Sequence, residues 1–216
     1  MTRLGQAKLL DCLIITSVSL RHKYFALNIL QKIPNSLVIF EKRDRINYYN
    51  VTNKGIMKNH FDKLFETEKR YFEKNVLDEE DFLDSKTIKY IEKNEINTDY
   101  IIKLIQDNNP KCIALYSVSI IKEKLISLFK KRLFNIHAGL SPSYRGTATN
   151  IWPIINKEPE YIGMTIHHIN KGIDSGGLIL QGRPNLDKDD DTHSMACKNT
   201  ILASNLIVQV VEEYRL

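Results

Sequence analysis

The sequence predicts an α/β fold, a single domain built on a mostly parallel sheet. Three observations lead there. The chain has 216 residues, 43% apolar and 26% charged, which is enough for one sizeable core and too apolar for disorder. Short apolar runs of strand length alternate with segments of helical spacing along the chain. No segment repeats at a fixed period.

Taken in order, Leu9–Thr16 (LLDCLIIT) is short, apolar and rich in Ile and Leu, as a buried strand is. Ser17–Lys23 is polar and reads as a loop, Tyr24–Ile33 as a helix, and Leu37–Phe40 as a second buried strand. Strand, helix, strand is the opening of a parallel sheet. Residues 41–98 are charged, with scattered aromatics (Tyr48, Tyr49, Phe61, Phe65, Tyr71, Phe72, Phe82), and His60–Asn75 keeps its apolar side chains at helical spacing. This stretch is expected as a helical insertion, more simply a surface hairpin than part of a site. Its aromatics point weakly to a homodimer. Tyr100–Asp107 is a helix stopped by Asn108, Asn109 and Pro110, Cys112–Tyr116 a third strand, Ile121–Leu128 a helix and Leu133–His137 a fourth strand. Ala148–Asn156 reads as a short helix, Tyr161–Ile169 and Leu178–Arg183 as strands. The acidic run Asp187–Thr192 leads into a final helix at about 194–214.

Composition excludes several classes. A net charge of +5 over this length permits an anionic substrate but does not demand nucleic acid. Cys12, Cys112 and Cys197 are lone cysteines, so neither a disulfide framework nor a structural zinc site is expected. The longest apolar runs are too short for a bilayer, and no secretion signal is visible, so no membrane partner and a cytoplasmic location are expected. His60, His168 and His193 match no familiar ligand spacing, and no metal is expected.

Two segments carry chemistry. In Leu133–Gly146 (LFNIHAGLSPSYRG), Asn135 and His137 are two apart on a strand, so both side chains leave one face while Phe134 and Ile136 take the other. The strand ends in a loop with Gly139, Pro142 and Gly146. In parallel sheets ligands bind beyond such strand ends. An amide beside an imidazole there can stabilise an oxyanion, or be satisfied by loop backbone. In Gly163–Gly177 (GMTIHHINKGIDSGG), Thr165 and His167 share a strand face and the chain turns to Asp174. That carboxylate can fix an imidazole tautomer or take a proton, or simply close a turn. Asp174-Ser175-Gly176-Gly177 also mimics the nucleophile segment of chymotrypsin-like proteases, but in an α/β chain with lone cysteines it lacks the context that reading needs.

Together the two segments resemble the folate-dependent formyltransferase family. Its signature is Asn-x-His, a Leu-x-Pro-x-Tyr-Arg-Gly loop, then Thr-x-His followed by an Asp and a Gly. Here these are Asn135, His137, Leu140, Pro142, Tyr144, Arg145, Gly146, Thr165, His167, Asp174 and Gly176. One departure is the Ala-Gly-Leu-Ser-Pro after His137, where relatives often have Pro-Ser-Leu-Leu-Pro. The resemblance implies a doubly wound, Rossmann-like sheet of the formyltransferase type, with 10-formyltetrahydrofolate as co-substrate. It implies Asn135, His137 and Asp174 as catalytic residues. The folate would lie along Ser117, Val118, Ser119 and Ile120 and along His168, Ile169, Asn170 and Gly172, largely on backbone.

Which amine is accepted depends on the first loop. Glycinamide ribonucleotide formyltransferases carry a glycine-rich phosphate loop after the first strand, whereas Ser17–Lys23 has no glycine. Methionyl-tRNA formyltransferases carry a further C-terminal β-barrel domain, for which a chain ending at Leu216 leaves no room. Bacterial sugar N-formyltransferases of surface polysaccharide synthesis remain. The expectation is therefore a nucleotide-linked amino sugar, such as a dTDP-amino-dideoxyhexose, with Arg21, His22, Tyr24, Tyr144 and Arg145 as its contacts and no nucleic acid partner. A catalytically silent folate-binding module of the same fold is the alternative outside the enzymes.

Overall fold

The computed structural model of the chain describes residues 9–42, 54–76 and 87–215. The elements run β1 (Cys12–Ser17), α1 (Leu20–Lys32), β2 (Ser36–Glu41), α2 (Lys54–Val76), β3 (Ile88–Ile91), α3 (Asp99–Asn108), β4 (Cys112–Tyr116), α4 (Glu123–Phe129), β5 (Leu133–His137), α5 (Trp152–Ile155), β6 (Met164–His168), β7 (Leu178–Gly182) and α6 (Thr192–Arg215). The seven strands form one sheet in the order β3-β2-β1-β4-β5-β6-β7. The first five are parallel, and β6 and β7 pair antiparallel. This is the mostly parallel, doubly wound sheet that the resemblance implies.

Alternation along the strands splits the core in two. Cys12 and Ile14 of β1 face a cluster with Phe25 and Ile29 of α1, Phe72 of α2 and Ile207 of α6. Leu13 and Ile15 face a second cluster with Ile101 and Ile105 of α3 and Leu125 and Phe129 of α4. Central strands buried on both faces read as continuous apolar runs, which is why β1, β2 and β4 were plain in the sequence. Cys12, Cys112 and Cys197 are free and buried within this core. Burial pushes the Cys112 and Cys197 thiols up to about 12, so they are not nucleophiles at neutral pH.

Three expectations need correction. The segment expected as a loop, Ser17–Lys23, is largely the start of α1. Ser19 is extended at the N-cap, and its carbonyl accepts the His22 and Lys23 amides at 2.9 Å each. Arg21, His22 and Lys23 thus sit on a helical turn. The stretch 41–98 is not wholly helical either. It contains β3, which pairs in parallel with β2 and extends the sheet. Nor is α2 a surface hairpin. It packs on α1 and α6, with Phe72 fully buried. Of the aromatics expected in this stretch, Tyr48, Tyr49 and Phe82 lie outside the described residues. Among those described, no helix is long and apolar enough to cross a membrane.

Candidate active site

The antiparallel pairing of β5 with β6 sets Asn135 opposite His167 and His137 opposite Thr165. Opposed residues share a sheet face, so four polar side chains form one patch at the end of the parallel strands. Phe134 and Ile136 point into the core on the other face. The loop after β6 brings Asp174 onto this patch. Asn135 Nδ2 donates to Asp174 Oδ1 at 2.9 Å and lies 3.1 Å from His167 Nε2. The Gly146 amide donates to Asp174 Oδ2 at 2.9 Å. His137 Nδ1 is 3.3 Å from Asp174 Oδ2, and His167 Nε2 is 3.4 Å from Asp174 Oδ1.

The loop can turn back because of two unusual backbone positions. Asp174 itself has φ 44, a left-handed conformation in which Asp is among the better tolerated residues. At Gly176 a Cβ would lie 1.6 Å from the His168 carbonyl oxygen, so only glycine fits. That same carbonyl receives His167 Nδ1 at 2.8 Å. Gly176 therefore closes the loop against the atom that orients His167.

Proton positions follow from the acceptors. A carbonyl oxygen only accepts, so His167 carries its proton on Nδ1 and offers the Nε2 lone pair to Asn135. Likewise His137 Nε2 donates to the Tyr144 carbonyl at 2.8 Å, which leaves Nδ1 facing the carboxylate. A second proton on Nδ1 would make an imidazolium–carboxylate pair. Burial opposes ionisation of Asp174. The nearby His167 and His137 rings and the hydrogen bond from the Gly146 amide outweigh it and hold the carboxyl below its ordinary range. An ionised Asp174 only accepts, so Asn135 must present its NH2 side to it. The cluster is a half-buried carboxylate served by an amide, two imidazoles and a backbone N–H.

Thr165 anchors the neighbouring loop. Its hydroxyl donates to the Gly139 carbonyl at 2.6 Å and accepts from the Ser141 amide at 3.1 Å and from Gln181 Nε2 of β7 at 2.8 Å. A Cβ at position 139 would lie 2.7 Å from His137 Nε2, so that glycine leaves room for the imidazole.

Two cavities meet at the cluster. One, of about 480 Å³, is lined by aliphatic side chains such as Ile120, Ile126, Ile169 and Ile173. The other, of about 690 Å³, is lined by Arg21, His22, His60, His193, Thr149 and Asn150 among others. Val118, Asn135 and Asp174 line both.

The residues expected from the sequence divide accordingly. Val118, Ser119, Ile120, Ile169, Asn170 and Gly172 line the aliphatic cavity, while Ser117 lines the polar one. His168 lines neither, because its ring packs on Phe134 at 5.3 Å on the other sheet face. Arg21 and His22 line the polar cavity. Arg21 is held 3.2 Å from Glu68 of α2, and His22 is buried beside Ser19 and Tyr116. Tyr24 lines neither cavity and stacks on Phe72 at 4.6 Å. Tyr144 turns its hydroxyl to Glu158 and Asn156 and contributes its carbonyl to His137. Arg145 is exposed and lines neither cavity.

Sequence reasoning did not assign His167, although its place two residues after Thr165 on a strand was visible. It also did not place His60 of α2 and His193 of α6 together. Their rings face each other, Nδ1 to Nε2, at 3.3 Å on the polar cavity wall.

A formyl transferase family model matches residues 36–211. The chain belongs to the formyl transferase family. It is 28% identical over 122 residues to methionyl-tRNA formyltransferase of Thermodesulfovibrio yellowstonii, covering 56% of this chain and 39% of that one. It is 35% identical over 83 residues to GDP-perosamine N-formyltransferase of Brucella melitensis, covering 38% of this chain and 32% of that one. The chain thus spans about two-fifths or less of these relatives. Among solved structures, phosphoribosylglycinamide formyltransferase of Streptococcus pneumoniae TIGR4 aligns over 98% of this chain and 100% of its own, at TM-score 0.62 and 16% identity, which shows a shared fold. The formyltransferase PseJ of Anoxybacillus kamchatkensis aligns over 62% of this chain and 69% of its own, at TM-score 0.50 and 26% identity. It was solved with UDP-4,6-dideoxy-4-formamido-L-AltNAc and tetrahydrofolate.

Proposed function

We propose that the chain is an N-formyltransferase. It would move a formyl group from 10-formyltetrahydrofolate in the aliphatic cavity to the amine of a nucleotide-linked amino sugar in the polar cavity. The observation that carries this reading is the wall of Asn135 and Asp174 common to both cavities. A group passed between two bound molecules has to pass where their sites touch. The aliphatic walls and the backbone groups of Ser119, Asn170 and Gly172 suit a flat heteroaromatic ring.

10-Formyltetrahydrofolate supplies the formyl carbon when bound. The amine attacks that carbon, the carbon–N10 bond breaks, and one proton passes from amine to N10. Asp174, kept ionised, takes the amine proton and returns it. Asn135 and His137 would turn their N–H donors from Asp174 and Tyr144 to the oxygen that gains charge. Each such donor typically contributes on the order of a hundredfold in rate. His167 acts one step back, holding the Asn135 amide.

The amino-sugar assignment rests on three supports. The turn after β1 offers no glycine for a backbone phosphate cradle. The polar cavity instead presents Arg21 and the imidazoles of His22, His60, His137 and His193, groups that suit a diphosphate. A Brucella relative and the Anoxybacillus structure bear sugar-nucleotide names. The test is a panel of nucleotide-linked amino sugars, glycinamide ribonucleotide and methionyl-tRNA with 10-formyltetrahydrofolate. Formylation of an amino sugar alone is the expected result. Formylation of either other substrate in place of the sugars would overturn the substrate class.

A further inference from the structure

Glu41 ends β2, an interior strand between β3 and β1, and is fully buried. A charged side chain at such a place is costly unless strong donors meet it. Among the described residues no Lys, Arg or His pairs with it. Two backbone amides do so instead. Ser119 N donates to Glu41 Oε2 at 2.7 Å, and Asn94 N donates to Oε1 at 2.9 Å. Asn94 stands in the left-handed region at φ 69, at the turn between β3 and α3. Ser119 belongs to the 117–122 segment, which runs from β4 to α4 and forms one wall of the aliphatic cavity. Ser117, at the start of this segment, is itself left-handed at φ 56.

The same two segments are joined further: the Asn94 amide also reaches Ser119 Oγ, at a longer 3.3 Å. Asn97 Nδ2 donates to the Ile120 carbonyl at 2.9 Å, and the Lys122 amide donates to Asn97 Oδ1 at 2.7 Å. The cavity wall therefore does not hold its own shape through β4 and α4 alone. Glu41 and Asn97 fasten it from behind, and neither lines the cavity.

We propose that Glu41 is a positioning residue for donor binding: its buried carboxylate fixes the Ser119 and Asn94 amides and so sets the backbone of the folate-facing wall. The inference rests on the reading of the aliphatic cavity as the folate site. Only a double acceptor answers two amides at once. In Glu41→Gln one amide keeps an oxygen, but the other meets an NH2 group, donor against donor, and the wall has to shift. The shift falls on the donor cavity, while Asn135, Asp174 and the polar cavity are held by other contacts.

The experiment compares wild type, Glu41→Gln and Asn97→Ala, each checked for folding by circular dichroism. Tetrahydrofolate affinity is read by calorimetry and amide exchange at 94 and 119–122 by mass spectrometry. Glu41→Gln is expected to weaken tetrahydrofolate roughly tenfold or more, raise the donor KM to match, and leave the acceptor KM within about twofold, since one unpaired buried donor is a loss of that order. Asn97→Ala, with exposed partners, is expected to do the same more weakly. Faster exchange at 94 and 119–122 should accompany both. Unchanged tetrahydrofolate affinity in folded Glu41→Gln, or an equal loss for donor and acceptor, would overturn the proposal. Wild type that binds no folate would instead overturn the reading of the cavity. In that case exchange alone decides whether Glu41 holds the wall, and unchanged exchange would refute it.

Discussion

Asn135, His137, His167 and Asp174 come from two neighbouring strands and one tight loop, within forty residues of chain. Arg21, Glu68, His60 and His193 come from three helices spread over most of it. Both groups line the polar cavity or support it, yet they are built differently. In the strand cluster both imidazoles are buried, Asn135 and Asp174 are half-buried at the cavity walls, and the donors are matched to acceptors, as a network in a low dielectric must be. The helical wall is tied by the Arg21–Glu68 and Lys63–Asp191 ion pairs and by the His60–His193 imidazole pair. Glu68 is buried and its carboxyl is pushed up by desolvation against the pull of Arg21. The comparison teaches that the proposed chemistry sits on adjacent strand ends, while the proposed acceptor contacts sit on helix surfaces packed around them.

The largest effect should come from the strand cluster. Asp174→Asn keeps the shape but removes the charge on which Asn135 and both imidazoles converge. It is expected to lower kcat by roughly a hundredfold to a thousandfold, with tetrahydrofolate affinity nearly unchanged. Initial rates beside calorimetric folate binding check this. A loss of folate affinity with kcat retained would make Asp174 a turn residue and erase the contrast between the two regions. His137→Asn is expected next, with a kcat loss of about a hundredfold in a protein whose circular dichroism matches wild type. Activity within tenfold of wild type would remove His137 from the chemistry.

The difference between the regions also explains what could be read from the sequence. The cluster was legible because strand alternation is local: Asn135 and His137, like Thr165 and His167, declare a shared face by spacing alone. Continuous apolar runs declared the central strands. By contrast, β3 (IKYI) is four residues long and interrupted by Lys89, and only its pairing with β2 makes it a strand. The Arg21–Glu68 pair joins residues 47 apart in number, through the packing of α1 on α2, and no spacing rule reaches that far. Tyr24 was expected as a contact of the sugar nucleotide together with Arg21 and His22. It faces the core because α1 starts at Leu20, four residues earlier than periodicity suggested, which turns its ring onto Phe72.

The helical wall should respond more mildly. Arg21→Ala is expected to raise the acceptor KM about tenfold with kcat and donor KM unchanged, as for uniform loss of one charge-assisted contact. It should also destabilise the fold, because it strands Glu68. Adding Glu68→Gln should restore the thermal midpoint but not the KM. An unchanged acceptor KM would reduce Arg21 to a structural partner of α2.

The smallest effect expected is at the start of α6. Asp191 Oδ1 accepts the His193 and Ser194 amides at 2.9 Å each. Burial works against its charge, but Lys63 and these amides outweigh that and bring its pKa to about 2. A carboxyl lowered in the folded state stabilises it above the unfolded pKa and loses that contribution as pH falls toward 2. Asp191→Ala should therefore cost about 1 kcal/mol near neutrality, roughly 2–4 °C in Tm, and flatten the decline of stability between about pH 4 and pH 2. Thermal melts across pH test both parts. An unchanged acid limb would show that the cap is carried by the backbone alone.

The central claim is that donor and acceptor occupy separate cavities at once and meet at Asn135 and Asp174. Initial rates measured by varying 10-formyltetrahydrofolate at several fixed concentrations of the amino-sugar nucleotide test it most directly. The two-cavity arrangement predicts intersecting double-reciprocal lines, the pattern of a ternary complex. Parallel lines, the pattern of a formyl group parked on the protein between two separate visits, would contradict it.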